Sequence, residues 1–112
     1  MYLPALDRRE LWIGEMRGVC LRGARVLLLR LDEGIFAFED RCAHLGMPLS
    51  QGKLEGTTLT CAAHHFQYDA RTGRGINPKT AALVPRRVKL QGEVICVEVP
   101  KAPEASAGER RG

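Results

Sequence analysis

The sequence predicts an all-β domain, a compact antiparallel sandwich or barrel. Three observations lead there. Apolar residues recur with period two rather than 3.6 along most of the chain. Glycine-rich connections separate the short apolar runs. No stretch has the length and spacing of a long amphipathic helix, and no internal repeat is present.

The elements follow in order. "GVCLR" and "ARVLLLRL" alternate as strands, and Asp32-Glu33-Gly34 supplies a turn before the strand "IFAFE". "TTLTC" is the next strand, with "HFQYD" after it and a turn at "ARTG". Near the end, "RRVKL" and "EVICVEV" flank Gln91-Gly92, a hairpin signal. At 112 residues the chain has room for one domain, assigned to residues 1–99. Residues 100–112, "PKAPEASAGERRG", lack an apolar period and are rich in Pro, Ala, Gly and charge. They are expected to be a disordered tail.

Composition narrows the function classes. The longest wholly apolar run is Val26 to Leu29, far short of a membrane span. The first ten residues, "MYLPALDRRE", contain no apolar signal core, so the expected compartment is the cytoplasm. Four cysteines there are thiols or metal ligands rather than disulfides. The formal charge is +4, but Lys and Arg are scattered without interleaved aromatics, which disfavours a nucleic-acid surface.

Two of the four cysteines and two of the three histidines fall in two short stretches, "RCAHLGMPLSQG" and "TCAAHHFQYDARTG". They pair Cys42 with His44 and Cys61 with His64, sixteen residues separating His44 from Cys61. One such pair would read as a buried thiol beside a satisfied histidine; two pairs make coincidence improbable. A structural zinc site is one candidate. Residues two apart in an extended segment, however, lie roughly 6.6 Å apart. Ligands on one tetrahedral ion sit only roughly 4 Å apart, so convergence on zinc needs a sharp turn. A two-iron cluster is a wider target, with each loop giving one thiolate and one imidazole.

This pattern resembles a Rieske [2Fe–2S] site, in which two histidines replace two cysteines on one iron. The resemblance implies that Cys42 and Cys61 bind one iron and that His44 and His64 bind the other. It implies the family's antiparallel β-sandwich, with a cluster-binding subdomain formed by the two loops. His65 follows the ligand position and is taken as a surface neighbour. Ala43 and Ala62 stand where the family often has proline, while Gly46 and Gly73 agree with it. The similarity runs from "LWIGEM" to "EVICVEV" and, through "TGRGINP", is closest to the Rieske-type ferredoxin of multicomponent toluene, benzene or alkene monooxygenases. The ferredoxin of ring-hydroxylating dioxygenases is the alternative within the family, and a structural zinc module the alternative outside it.

The resemblance further implies an electron carrier that is not itself an enzyme. An NADH-dependent flavin or iron–sulfur reductase would supply the electron, and a di-iron hydroxylase would receive it. A monomer without membrane or nucleic-acid partners is expected. Rieske proteins of quinol-oxidising complexes resemble this chain in their ligand loops but add a disulfide, at positions held here by Met47 and Ala63. They also place a serine hydroxyl where Phe66 stands. Tyr68 matches the family's tyrosine and is a candidate donor to a thiolate. Outside the motif, Cys20 and Cys96 are read as buried thiols, and Trp12, Tyr2 and Phe38 as packing aromatics.

Overall fold

The computed structural model describes residues 1–42, 48–62 and 65–99. Eleven strands appear among them: β1 Tyr2–Asp7, β2 Met16–Leu21, β3 Ala24–Leu31, β4 Gly34–Glu39, β5 Lys53–Glu55, β6 Thr58–Thr60, β7 Gln67–Asp69, β8 Gly75–Asn77, β9 Pro85–Arg86, β10 Val88–Gln91 and β11 Val94–Glu98. Single 3-10 turns at Arg8–Glu10 and Leu49–Gln51 are the only helical elements described. The all-β expectation therefore holds. Strand β3 coincides with the predicted "ARVLLLRL", and β10 and β11 form the predicted hairpin around Gly92, whose φ is 62°. Besides running β9 together with β10 as the single strand "RRVKL", the sequence reading missed β1, β5 and β8. The last two are three-residue strands, too short for a period to register.

Three antiparallel sheets are built, in the orders β1-β11-β10, β2-β3-β4-β9 and β5-β6-β7-β8. The second sheet is the middle layer, and the alternation of β3 makes it so. Leu27, Leu29 and Leu31 share one buried cluster with Leu59 and Tyr68 of the third sheet. Val26 and Leu28 share another with Ile95 and Val97 of the first. A strand covered on both faces needs apolar side chains at successive positions, hence the unbroken run Val26 to Leu29. Phe38 and Ala37 divide in the same way along β4.

The third sheet carries the loops of interest, and its attachment depends on glycine. Gly73 has φ +81°, and a Cβ there would lie 2.8 Å from Phe38 Cε1. In the "GRGINP" stretch Gly75 N donates to Ala81 O at 2.9 Å, and a Cβ on Gly75 would collide with the carbonyls of Pro78 and Ala81. The Asp69 turn is tied by Arg71, whose guanidinium also reaches Glu33 in the β3–β4 turn at 3.7 Å.

Two readings are corrected. Trp12 does not pack: it is 72% exposed, while its neighbour Leu11 is fully buried. Cys20 is exposed because β2 is an edge strand, whereas Cys96, on the central strand β11, is buried as expected. Tyr2 is half-buried with Lys89 Nζ 4.3 Å from its ring centroid, and Phe38 is buried. The predicted tail, residues 100–112, lies outside the described residues.

Candidate metal centre

Cys42 lies just beyond the end of β4, and Cys61 just beyond the end of β6. Both are buried, at 2% and 0% exposure, in a single cluster with Leu49, Leu59 and Tyr68. The fold thus brings to one place two thiols nineteen positions apart in sequence. His44 and His64 lie outside the described residues, as do Ala43, Gly46, Met47 and Ala63.

The second loop is closed at its base by backbone bonds. Cys61 N donates to Phe66 O at 2.8 Å, and His65 N donates to Cys61 O at 3.1 Å. His65 takes the left-handed conformation, φ 58°, that closes so short a loop, and its side chain is exposed, as expected of a surface neighbour. From β7, Tyr68 is fully buried and its hydroxyl lies 3.3 Å from Cys42 Sγ. A metal-bound thiolate carries no proton, so there the hydroxyl must be the donor. The fold thus brings the tyrosine's hydroxyl to the sulfur of Cys42.

Asp40 and Ser50 were not singled out by sequence. Asp40 is the buried charged side chain among the described residues, two positions before Cys42. Its carboxylate accepts bonds from Ser50 N and Ser50 Oγ, both at 2.9 Å. The available signal was an acid ending an apolar strand beside a candidate ligand.

The donor set suits a [2Fe–2S] cluster: two buried thiols in one core, with a hydroxyl aimed at one of them. Burial excludes water from the sulfurs, and the hydroxyl stabilises negative charge on the one it meets. The ion pairs near the surface are of another kind. Arg9 hydrogen-bonds the Asp7 side chain and holds its pKa at about 2, and Arg71 lowers that of Asp69 in the same way.

Comparison with known proteins agrees. The Rieske [2Fe-2S] domain family matches residues 1–100, and the chain belongs to that family. The cofactor is accordingly a Rieske-type [2Fe–2S] cluster, in place of the zinc alternative. The ferredoxin component of the alkene monooxygenase system of Xanthobacter autotrophicus is 32% identical over 93% of this chain and 88% of its own length. The ferredoxin component of the naphthalene 1,2-dioxygenase system of Pseudomonas aeruginosa is 27% identical over 88% of this chain and 95% of its own. A chain in the complex of reduced oxygenase and oxidized ferredoxin of carbazole 1,9a-dioxygenase superposes with TM-score 0.79 at 26% identity, covering 86% of this chain and 91% of that one.

Proposed function

We propose that this protein carries single electrons from an NADH-dependent flavin or iron–sulfur reductase to a di-iron hydroxylase acting on aromatic or alkene hydrocarbons. The observation that carries the reading is the 32% identity, over nearly the whole chain, to an alkene monooxygenase ferredoxin. Cys42, His44, Cys61 and His64 are the proposed ligands, and residues 1–99 the unit that holds them. The cluster supplies storage of one electron at a time. With four protein ligands and bridging sulfide it leaves no open position for substrate, so the chain serves as carrier and not as catalyst.

The residues divide the work. Cys42 and Cys61 hold their iron inside the core, and Tyr68 donates to Cys42 Sγ. The neutral imidazoles of His44 and His64 form the edge through which the electron enters and leaves. A brief, small docking contact suits such a carrier. A cytoplasmic monomer fits this role, and no helix among the described residues is long and apolar enough to cross a membrane.

A second reading, service to a ring-hydroxylating dioxygenase, is favoured by the likeness to the naphthalene dioxygenase ferredoxin over 88% of the chain. Reconstitution decides between them. With a toluene-type hydroxylase and its reductase, turnover should depend on this chain, and the chain alone should oxygenate nothing. Turnover with an aromatic dioxygenase, and none with that hydroxylase, would move the assignment to the second reading.

A further inference from the structure

We infer that Asp40 is a positioning residue for the iron–sulfur centre: with Ser50 it clamps the neck of the first ligand loop and sets a buried negative charge beside Cys42. The inference rests on the ligand assignment proposed above.

Asp40 ends the run from β4, and Ser50 sits in the 3-10 turn Leu49–Gln51. Between them lie residues 41–49, with both proposed ligands of the first loop, Cys42 and His44. Each carboxylate oxygen of Asp40 takes one bond from Ser50, one from the backbone N–H and one from the hydroxyl. The Asp40 backbone is fixed in turn, its N–H donating to Arg25 O at 3.0 Å. On the far side of the neck Leu49 is fully buried in the core shared with Cys42 and Cys61. Both ends of the loop are therefore anchored, and the carboxylate ties one to the other.

Gly18 on β2 makes room for the clamp. A Cβ there would lie 2.7 Å from Asp40 Oδ2 and 2.8 Å from Ser50 Oγ. Its φ is not in the left-handed region, so space rather than backbone conformation calls for glycine. Among the described residues no Lys or Arg forms an ion pair with Asp40; two dipoles from one serine are what the carboxylate receives. The Cα atoms of residues two apart are at most about 7 Å from each other, and the side chains of Asp40 and Cys42 are both buried. Reduction adds a negative charge to the cluster, and a buried anion at short range opposes it. The clamp thus fixes the loop and lowers the potential together.

The test compares cluster-loaded wild type with Asp40→Asn, Ser50→Ala and Ser50→Thr. Ser50→Ala should lose its visible absorbance to a chelator roughly tenfold faster, the factor carried by one hydrogen bond to a charged group, and Ser50→Thr should restore the wild-type rate. Asp40→Asn keeps the shape and removes the charge, so its midpoint potential in protein-film voltammetry should rise. Ser50→Ala losing its cluster at the wild-type rate, or an Asp40→Asn midpoint unchanged or lowered, overturns the inference. Should Asp40→Asn assemble no cluster, the two Ser50 variants decide. A wild type without a Rieske EPR signal would overturn the ligand assignment and this inference with it, whereas a loaded wild type with indifferent variants overturns the clamp alone.

Discussion

The Tyr68 hydroxyl lies 3.3 Å from Cys42 Sγ, with both side chains shut away from solvent. A hydrogen bond to a ligand sulfur stabilises the reduced, more negative cluster. Tyr68→Phe removes the donor and leaves the ring in place, so its midpoint should fall. A change of about 1 kcal/mol corresponds to roughly 40 mV for one electron. An unchanged or raised potential would mean that the contact does not tune the cluster.

The ligand set has its own test. Cys42→Ala and Cys61→Ala should assemble no cluster, and His64→Ala should damage it severely. His65→Ala should leave the visible and EPR spectra largely intact, because that side chain is exposed. The reverse pattern for the two histidines would shift the register by one residue. At φ 58° His65 occupies a conformation open to glycine, so His65→Gly should keep both the spectrum and the thermal midpoint.

The potential should fall in the lowest third of the Rieske range of about −150 to +300 mV. Phe66 offers no hydroxyl where the quinol-oxidising relatives have serine, and Met47 and Ala63 cannot form their disulfide. Tyr68 keeps one of the bonds, so the fall is partial. Voltammetry at neutral pH giving a midpoint above about +100 mV would contradict both the hydrogen-bond argument and the proposed place between NADH and an oxygen-activating centre.

Gly73→Ala should destabilise the protein by at least about 2 kcal/mol in denaturant unfolding. The alanine would have to adopt φ +81° and push Phe38 out of the shared core. Because Phe38 belongs to the middle sheet and Gly73 to the turn between β7 and β8 of the third, next to the second proposed ligand loop, cluster retention should fall as well. Wild-type stability would show that the turn relaxes freely.

Acid should weaken the fold through Asp7. Its folded pKa is lowered to about 2, first by the side-chain bond from Arg9 and then by the Arg9 backbone N–H. A depressed carboxylate contributes stability that is complete above the unfolded value, about 3.9, and is lost as pH falls through the folded one. Thermal midpoints of wild type and Asp7→Asn should therefore differ at pH 6 and converge between pH 4 and 2. The effect is small, because the pair stands in solvent. The bond from Arg9 N is also the cap of the 3-10 turn, so its contribution should fade with the same protonation, and a gap that stayed constant with pH would mean that the loss does not come from the Asp7 charge.

The sequence by itself determined what is local in the chain. The proposed ligand types and their spacing, at Cys42, His44, Cys61 and His64, were legible because each pair lies within one short stretch of sequence. Strand β3 was legible because period-two burial leaves its mark on eight successive residues. Only the tertiary structure decided which neighbours cover which faces. Cys20 and Cys96 sit in similar apolar contexts, yet one lies on an edge strand and the other at the centre of its sheet. Leu11 turns inward and Trp12 outward, against the size of their side chains. Tyr68 reaches Cys42 across 26 positions, and Asp40 meets Ser50 across ten. Such contacts depend on how three sheets stack, and stacking is settled by the sum of many weak burials that no single stretch of sequence contains.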